Sequence, residues 1–175
     1  MSLTTALRAL AVVFVAALLQ AGVISSTFVF GGAPDLLLVV VVALGLLRGS
    51  VAGAVLGFVG GLVIDVVTLD TLGVTSLVLT LAGFWAGRYA ETTGRGRALA
   101  PVLSVGVITV LAAVFGLFLH YMLGEAVSAH QALLTTLFPA LLMNVLLAYP
   151  VFRLVRRLVG ERVVVEPSRE VELVV

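Results

Sequence analysis

Few side chains in this sequence can do chemistry, and those few stand in apolar surroundings. The stretch GSVAGAVLGFVGGLVID, residues 49–65, ends on the carboxylate of Asp65, with Val66 and Val67 directly after it. A carboxylate at the centre of a bilayer costs ~2.5–3.5 kcal/mol or more, so one that is kept there is often functional. Proton relay is the chemistry it would serve, yet relay needs a second titratable group at the same depth, and none is evident. Close to a helix end the cost falls, and Asp65 then reads as an interfacial carboxylate facing water or pairing with Thr68 or a neighbouring loop. His120, Glu125 and His130 follow one another closely. Such side chains can bind a metal, but their spacing matches no ligand motif, so loop or headgroup contacts are expected instead. No GxSxG, HExxH, P-loop or dinucleotide signature occurs. A membrane-embedded hydrolase would need a nucleophile–base set, and none is recognisable. Accordingly no catalytic residue, metal or cofactor is expected.

The elements that position these residues are membrane helices. Of 175 residues, 62% are hydrophobic and 11% charged, and the mean hydropathy is +1.28. Soluble domains run near 45–50% apolar and about 25% charged, so the class is an all-α integral membrane protein. Cysteine is absent, which excludes disulfides and thiolate metal sites. The net charge of +1 says nothing about nucleic acid, and the basic residues are too scattered for a binding stripe. Residues 1–26 resemble a secretory signal only superficially. The apolar run passes position 20 without a small-x-small site, whereas signal cores are about 7–15 residues long, so an uncleaved first span is expected.

A crossing helix needs about 20 residues. Apolar runs cover 9–30, 36–47, 49–67, 72–87, 99–123 and 133–155, predicting six transmembrane helices. All ten basic residues are arginines, at positions 8, 48, 88, 95, 97, 153, 156, 157, 162 and 169. With six crossings and a cytoplasmic N-terminus, every one falls on the cytoplasmic side, as the positive-inside rule requires. Residues 88–97 then form an inner loop, and 161–175 a short cytoplasmic tail to a membrane domain of residues 1–160. Trp85 and Tyr89 near the inner boundary and Tyr121 near the outer one suit aromatic belts. The run 36–47 is only about 18 Å long at 1.5 Å per residue. It is either a short helix buried among neighbours or half of a re-entrant hairpin, with its turn at Arg48-Gly49-Ser50.

Gly49, Gly53, Gly57 and Gly61 recur at every fourth position, with Gly45 before them on the same spacing and Ala52 and Gly60 beside them. In water an interior glycine costs about 1 kcal/mol relative to alanine. In lipid, helices gain little from burying apolar surface against each other, and close backbone approach becomes the main attraction. The stripe therefore predicts a tightly packed helix pair, either within the chain or with a partner. Gln20, Asn144, Thr75, Ser76 and Thr80 are the polar groups suited to hydrogen-bonding between helices.

The order of these features resembles the MreD family of rod shape-determining proteins. It rests on Pro34-Asp35-Leu36-Leu37-Leu38, the Arg48-Gly49 turn, the glycine helix closing on Gly61-Leu62-Val63-Ile64-Asp65, and Leu72-Gly73. The likeness is sharpest over residues 34–87. It implies a non-enzymatic role in bacterial cell-wall elongation, in the inner membrane with both termini cytoplasmic. The implied partner is the bitopic protein MreC, and through it the MreB filament and the glycosyltransferase–transpeptidase pair that makes peptidoglycan, all within membrane lipid. It also implies a six-helix fold similar to the S-components of energy-coupling-factor transporters. Pro34, Asp35, Arg48, Asp65 and the glycine ridge are the positions that match the family pattern. A substrate-binding subunit of a vitamin transporter is the alternative, and Gln20, Asp65, His120 and Tyr121 would have to line its pocket.

Overall fold

The computed structural model describes residues 3–24, 33–93, 100–124 and 136–160. Among them are six α-helices and no strand. These are α1 (Leu3–Leu19, continued by a π-helical turn at Gln20–Ile24), α2 (Leu36–Arg48), α3 (Ser50–Thr68), α4 (Val74–Thr93), α5 (Ala100–Met122) and α6 (Leu137–Val159). Residues 1–2, 25–32, 94–99, 125–135 and 161–175 lie outside the description, and with them Glu125, His130, Arg95, Arg97 and the tail.

The bundle is organised around its shortest helix. Every residue of α2 from Leu37 to Leu47 is buried, and α2 packs against all five other helices. At about 1.5 Å per residue, 13 residues span about 20 Å, short of a ~30 Å hydrocarbon core. A helix wrapped by protein on all sides need not match that thickness, because its ends meet side chains and not lipid. The run 36–47 is thus a short helix buried among its neighbours.

One residue, Gly49, reverses the chain between α2 and α3. Its N–H bonds the Gly45 carbonyl at 2.8 Å and its own carbonyl accepts from Gly53 N at 3.0 Å, so it closes one helix and opens the next. It does this at φ 96°, a conformation that a Cβ disfavours. The α2–α3 hairpin is then clasped by α4, which runs antiparallel to α3 and parallel to α2. Gly53 lies opposite Gly83, Gly57 opposite Leu79, and Gly61 opposite Ser76, while Val41 of α2 reaches Gly83.

Four helices are long and apolar enough to cross a membrane: Leu3–Gly22, Ser50–Thr68, Pro101–Met122 and Leu137–Val159. α4 runs on to Thr93 and so includes Arg88 and Glu91, where the sequence suggested an inner loop from residue 88. Helix continues there because Glu91 reaches Ser50 at the start of α3, as described next.

Candidate functional site

The polar groups of the described chain gather at the two ends of α2 and at the α3–α4 turn. At the N-terminus of α2, the first backbone N–H groups have no intrahelical acceptor. Asp35 supplies one as N-cap, its Oδ1 accepting from Leu38 N at 2.9 Å. Gln20, from the π-helical turn, accepts from Leu36 N at 2.8 Å and donates to the Pro34 carbonyl at 3.2 Å. Asn144, in α6 and only 1% exposed, accepts from Asp35 N at 2.7 Å and donates to Thr109 Oγ1 of α5 at 3.2 Å. Four elements therefore converge on the Pro34-Asp35-Leu36 turn. Gln20 and Asn144 act here on the backbone of α2, a role their isolated positions in sequence do not reveal.

At the opposite end, Arg48 donates from Nη2 to the carbonyl of Val159, the last residue of α6. A cation there also complements the negative end of the α6 dipole. Two residues on, Ser50 N and Ser50 Oγ donate to the Glu91 carboxylate at 2.9–3.2 Å. Glu91 also pairs with Arg88 at 3.8 Å, an i,i+3 contact. Glu91 thus caps α3 from another helix, because Gly49 has no side chain with which to do so. Glu91 does not stand out in the sequence. Its signal was an acid one turn from the end of the apolar block, in reach of a helix start that lacks a capping side chain.

Asp65 is 1% exposed and does not face water. Its Oδ2 accepts from Gly73 N at 2.8 Å, with Ser76 N at 3.5 Å and Ser76 Oγ at 3.4 Å. It therefore caps the N-terminus of α4 from within α3, while its Oδ1 has no hydrogen-bond partner among the described residues. The Thr68 hydroxyl donates to the Ile64 carbonyl at 2.8 Å, within its own helix. The Thr80 hydroxyl does likewise, to Ser76 O at 2.6 Å. The turn from α3 to α4 begins at Leu69, whose φ of 55° is left-handed.

The glycine stripe divides between two roles. Gly53, Gly57 and Gly61 face the α4 backbone, and Gly49 forms the junction, approached by Gly87 of α4. Gly45 also meets Gly83, Ala86 and Gly87, whereas Gly60 turns away toward Val13 of α1 and Leu37. Gly83 and Gly87 are the matching small residues on α4, spaced four apart like the stripe they meet, and sequence reading did not single them out.

The described residues hold no cluster of three His, Cys, Asp or Glu side chains suited to a metal. Gln20 and Asp65, two of the four residues that a transporter pocket would require, are bonded to backbone, and Tyr121 is 72% exposed. What this arrangement does chemically is fix helices: each acid named above accepts hydrogen bonds from a helix start.

No curated protein and no solved structure matches the chain, so the expected likeness to transporter S-components gains no support. A family model does match, that of the rod shape-determining protein MreD, over residues 2–160. That stretch runs through all six helices and both capped ends of α2, and the chain belongs to the MreD family of rod shape-determining proteins.

Proposed function

We propose that this protein is a non-enzymatic scaffold subunit of the bacterial cell-wall elongation machinery. It sits in the inner membrane with six crossings and both termini cytoplasmic. It docks an MreC-like bitopic partner, and through it supports an MreB-like filament and the glycosyltransferase–transpeptidase pair. The observation that carries this reading is how the polar groups are used. Asp35, Asp65, Glu91, Arg48, Gln20 and Asn144 all serve helix ends, which suits a rigid support better than a reaction centre. Family membership adds the process in which such a support works.

The six-crossing reading is supported by α4, whose 20 residues span about 30 Å, and by α2 lying enclosed beside it. The orientation is supported by the charges. Arg48, Arg88, Arg153, Arg156 and Arg157 belong to the end where α2, α4 and α6 finish, while Asp35, Asp65 and Asp70 belong to the other. Co-expression of the tagged protein with the MreC-like protein of the same genome, followed by mild solubilisation, tests the reading. Stoichiometric retention of the partner is expected. Its consistent loss, with the tagged protein monodisperse, removes the scaffold proposal.

A further inference from the structure

The arginine that ends the central helix has no anion of its own. Arg48 is half-buried, its Nη2 donates to the Val159 carbonyl, and its Nε is buried without a hydrogen-bond partner. Among the described residues it is in no ion pair. Glu91, the only described carboxylate at this end, is held by Ser50 and Arg88. A carbonyl at a helix C-terminus offers only about half a charge, and a cation drawn partly out of water without an anion is costly. Position decides which anion can reach it. The other five helices enclose α2, so its last residue lies at the axis of the bundle end and not on the lipid-facing perimeter. There α6 stops at Val159, and Gly160 follows at φ 77° with no side chain. A Cβ on Gly160 would lie 3.6 Å from Arg48 Nη2, so the glycine leaves the guanidinium uncovered on that side. Around it stand Arg88 of α4, with its side chain 60% exposed, and Arg153 and Arg157 of α6, both exposed.

We infer that this end of the bundle docks an acidic segment of a protein partner, one carboxylate of which pairs with Arg48 while others meet Arg88, Arg153 and Arg157. The guanidinium fork matches a carboxylate with two parallel hydrogen bonds. Lipid headgroups reach the perimeter arginines but not the axial one. A small anion would use the axial one alone. A chain with several acids in succession uses both, which is the charge complement of four arginines spread over three helices. The inference needs only that this end faces water, so it stands apart from the scaffold reading, which adds that the partner is cytoplasmic.

The test uses the full chain in phosphatidylcholine nanodiscs and a fluorescein-labelled peptide of alternating glutamate and serine, with a lysine–serine peptide as control. Fluorescence anisotropy should show binding of the glutamate peptide alone. Arg48→Gln should weaken it about tenfold or more, the worth of a hydrogen-bonded charge. Arg157→Gln, at a site open to solvent, should weaken it no more than about fivefold. Arg48→Lys keeps the charge without the fork and should fall between the two. Because Arg48 also holds the end of α6, the unsubstituted protein supplies a reading that needs no variant. The glutamate peptide should slow phenylglyoxal modification of Arg48, followed by mass spectrometry. Equal losses from Arg48→Gln and Arg157→Gln, or modification of Arg48 at the same rate with peptide bound, overturn the inference. So does full protection of Arg48 without peptide, which would mean that an acid of this chain already occupies the place. Displacement of the peptide by inorganic phosphate at an ionic strength where chloride leaves it bound overturns it in favour of a small-anion site. Its displacement when phosphatidylglycerol replaces phosphatidylcholine does so in favour of lipid headgroups.

Discussion

Replacing Gly57 by alanine adds a single methyl group, and the structure fixes where it must go. A Cβ at that position would lie 2.6 Å from the Leu79 carbonyl carbon, 3.1 Å from Thr80 N, and closer still to the Leu79 carbonyl oxygen. Carbon–carbon contact is comfortable only from about 3.5 Å, so α3 and α4 must separate by roughly 1 Å along their closest seam. No rotamer change can relieve this, because the opposing atoms are backbone. Overpacking of this kind costs typically 1–3 kcal/mol. Helix propensity pulls the other way by up to about 1 kcal/mol, since alanine is the better helix former. The net expectation is a loss of about 1–2 kcal/mol, and Gly57→Leu should disrupt the pair altogether, unlike Val59→Leu. Gly116 supplies the internal control. A Cβ there meets only Val78 Cγ2 at 4.0 Å, so Gly116→Ala should be neutral or stabilising. Thermal melting of the detergent-solubilised protein, followed by size-exclusion chromatography, reads both variants. If Gly57→Ala melts no lower than Gly116→Ala, the close-packing account of the α3–α4 seam is refuted.

Three further outcomes follow from the capped helix ends. Asn144→Ala should cost about 1–3 kcal/mol, because it leaves the Asp35 N–H and the Thr109 hydroxyl without their buried partner. Its effect should be non-additive with Gln20→Ala, since both hold one turn, and a double-mutant cycle by thermal melting checks this. Asp65→Asn keeps an acceptor for Gly73 N and should preserve shape complementation better than Asp65→Ala, whose loss of a cap is worth about 0.5–2 kcal/mol. Loss of complementation in a stably folded Asp65→Asn protein would instead indicate that the charge itself works. Leu69 is 91% exposed at φ 55°, so Leu69→Gly should raise the melting temperature by relieving a strain of about 1–2 kcal/mol. A lower melting temperature would mean that the leucine side chain has a contact of its own.

Much of the α2–α4 unit is legible in the sequence because helical spacing is explicit there. Gly53, Gly57 and Gly61 occupy one ridge by arithmetic, and Arg48-Gly49-Ser50 punctuates an otherwise unbroken apolar run. What cannot be read is which side chain meets which backbone across more than a few turns. Asn144 is 109 residues from the Asp35 N–H that it accepts, and Glu91 is 41 from Ser50. Nothing in a linear pattern distinguishes such a cap from an ordinary polar side chain between helices. Asp65 is ambiguous for a related reason. Its position near a helix end allows water, Thr68 or a neighbouring loop, and only the folded chain selects the loop: the α3–α4 turn folds back over it, and α4 starts with Gly73 and Val74, which offer no side-chain acceptor. The apolar run 36–47 of α2 looks like a stunted span until its five neighbours are in place.

α2 is the core of this bundle, pinned at its start by Gln20, Asp35 and Asn144 and at its end by Arg48. Amide hydrogen exchange of the detergent-solubilised protein, resolved by helix, tests this arrangement. Residues 37–47 should exchange more slowly than α5 and α6, although α2 is the shortest helix, and Asn144→Ala should accelerate exchange in the first turn of α2 selectively. Exchange of α2 as fast as that of α5 and α6, unaffected by Asn144→Ala, would rule out α2 as the pinned core.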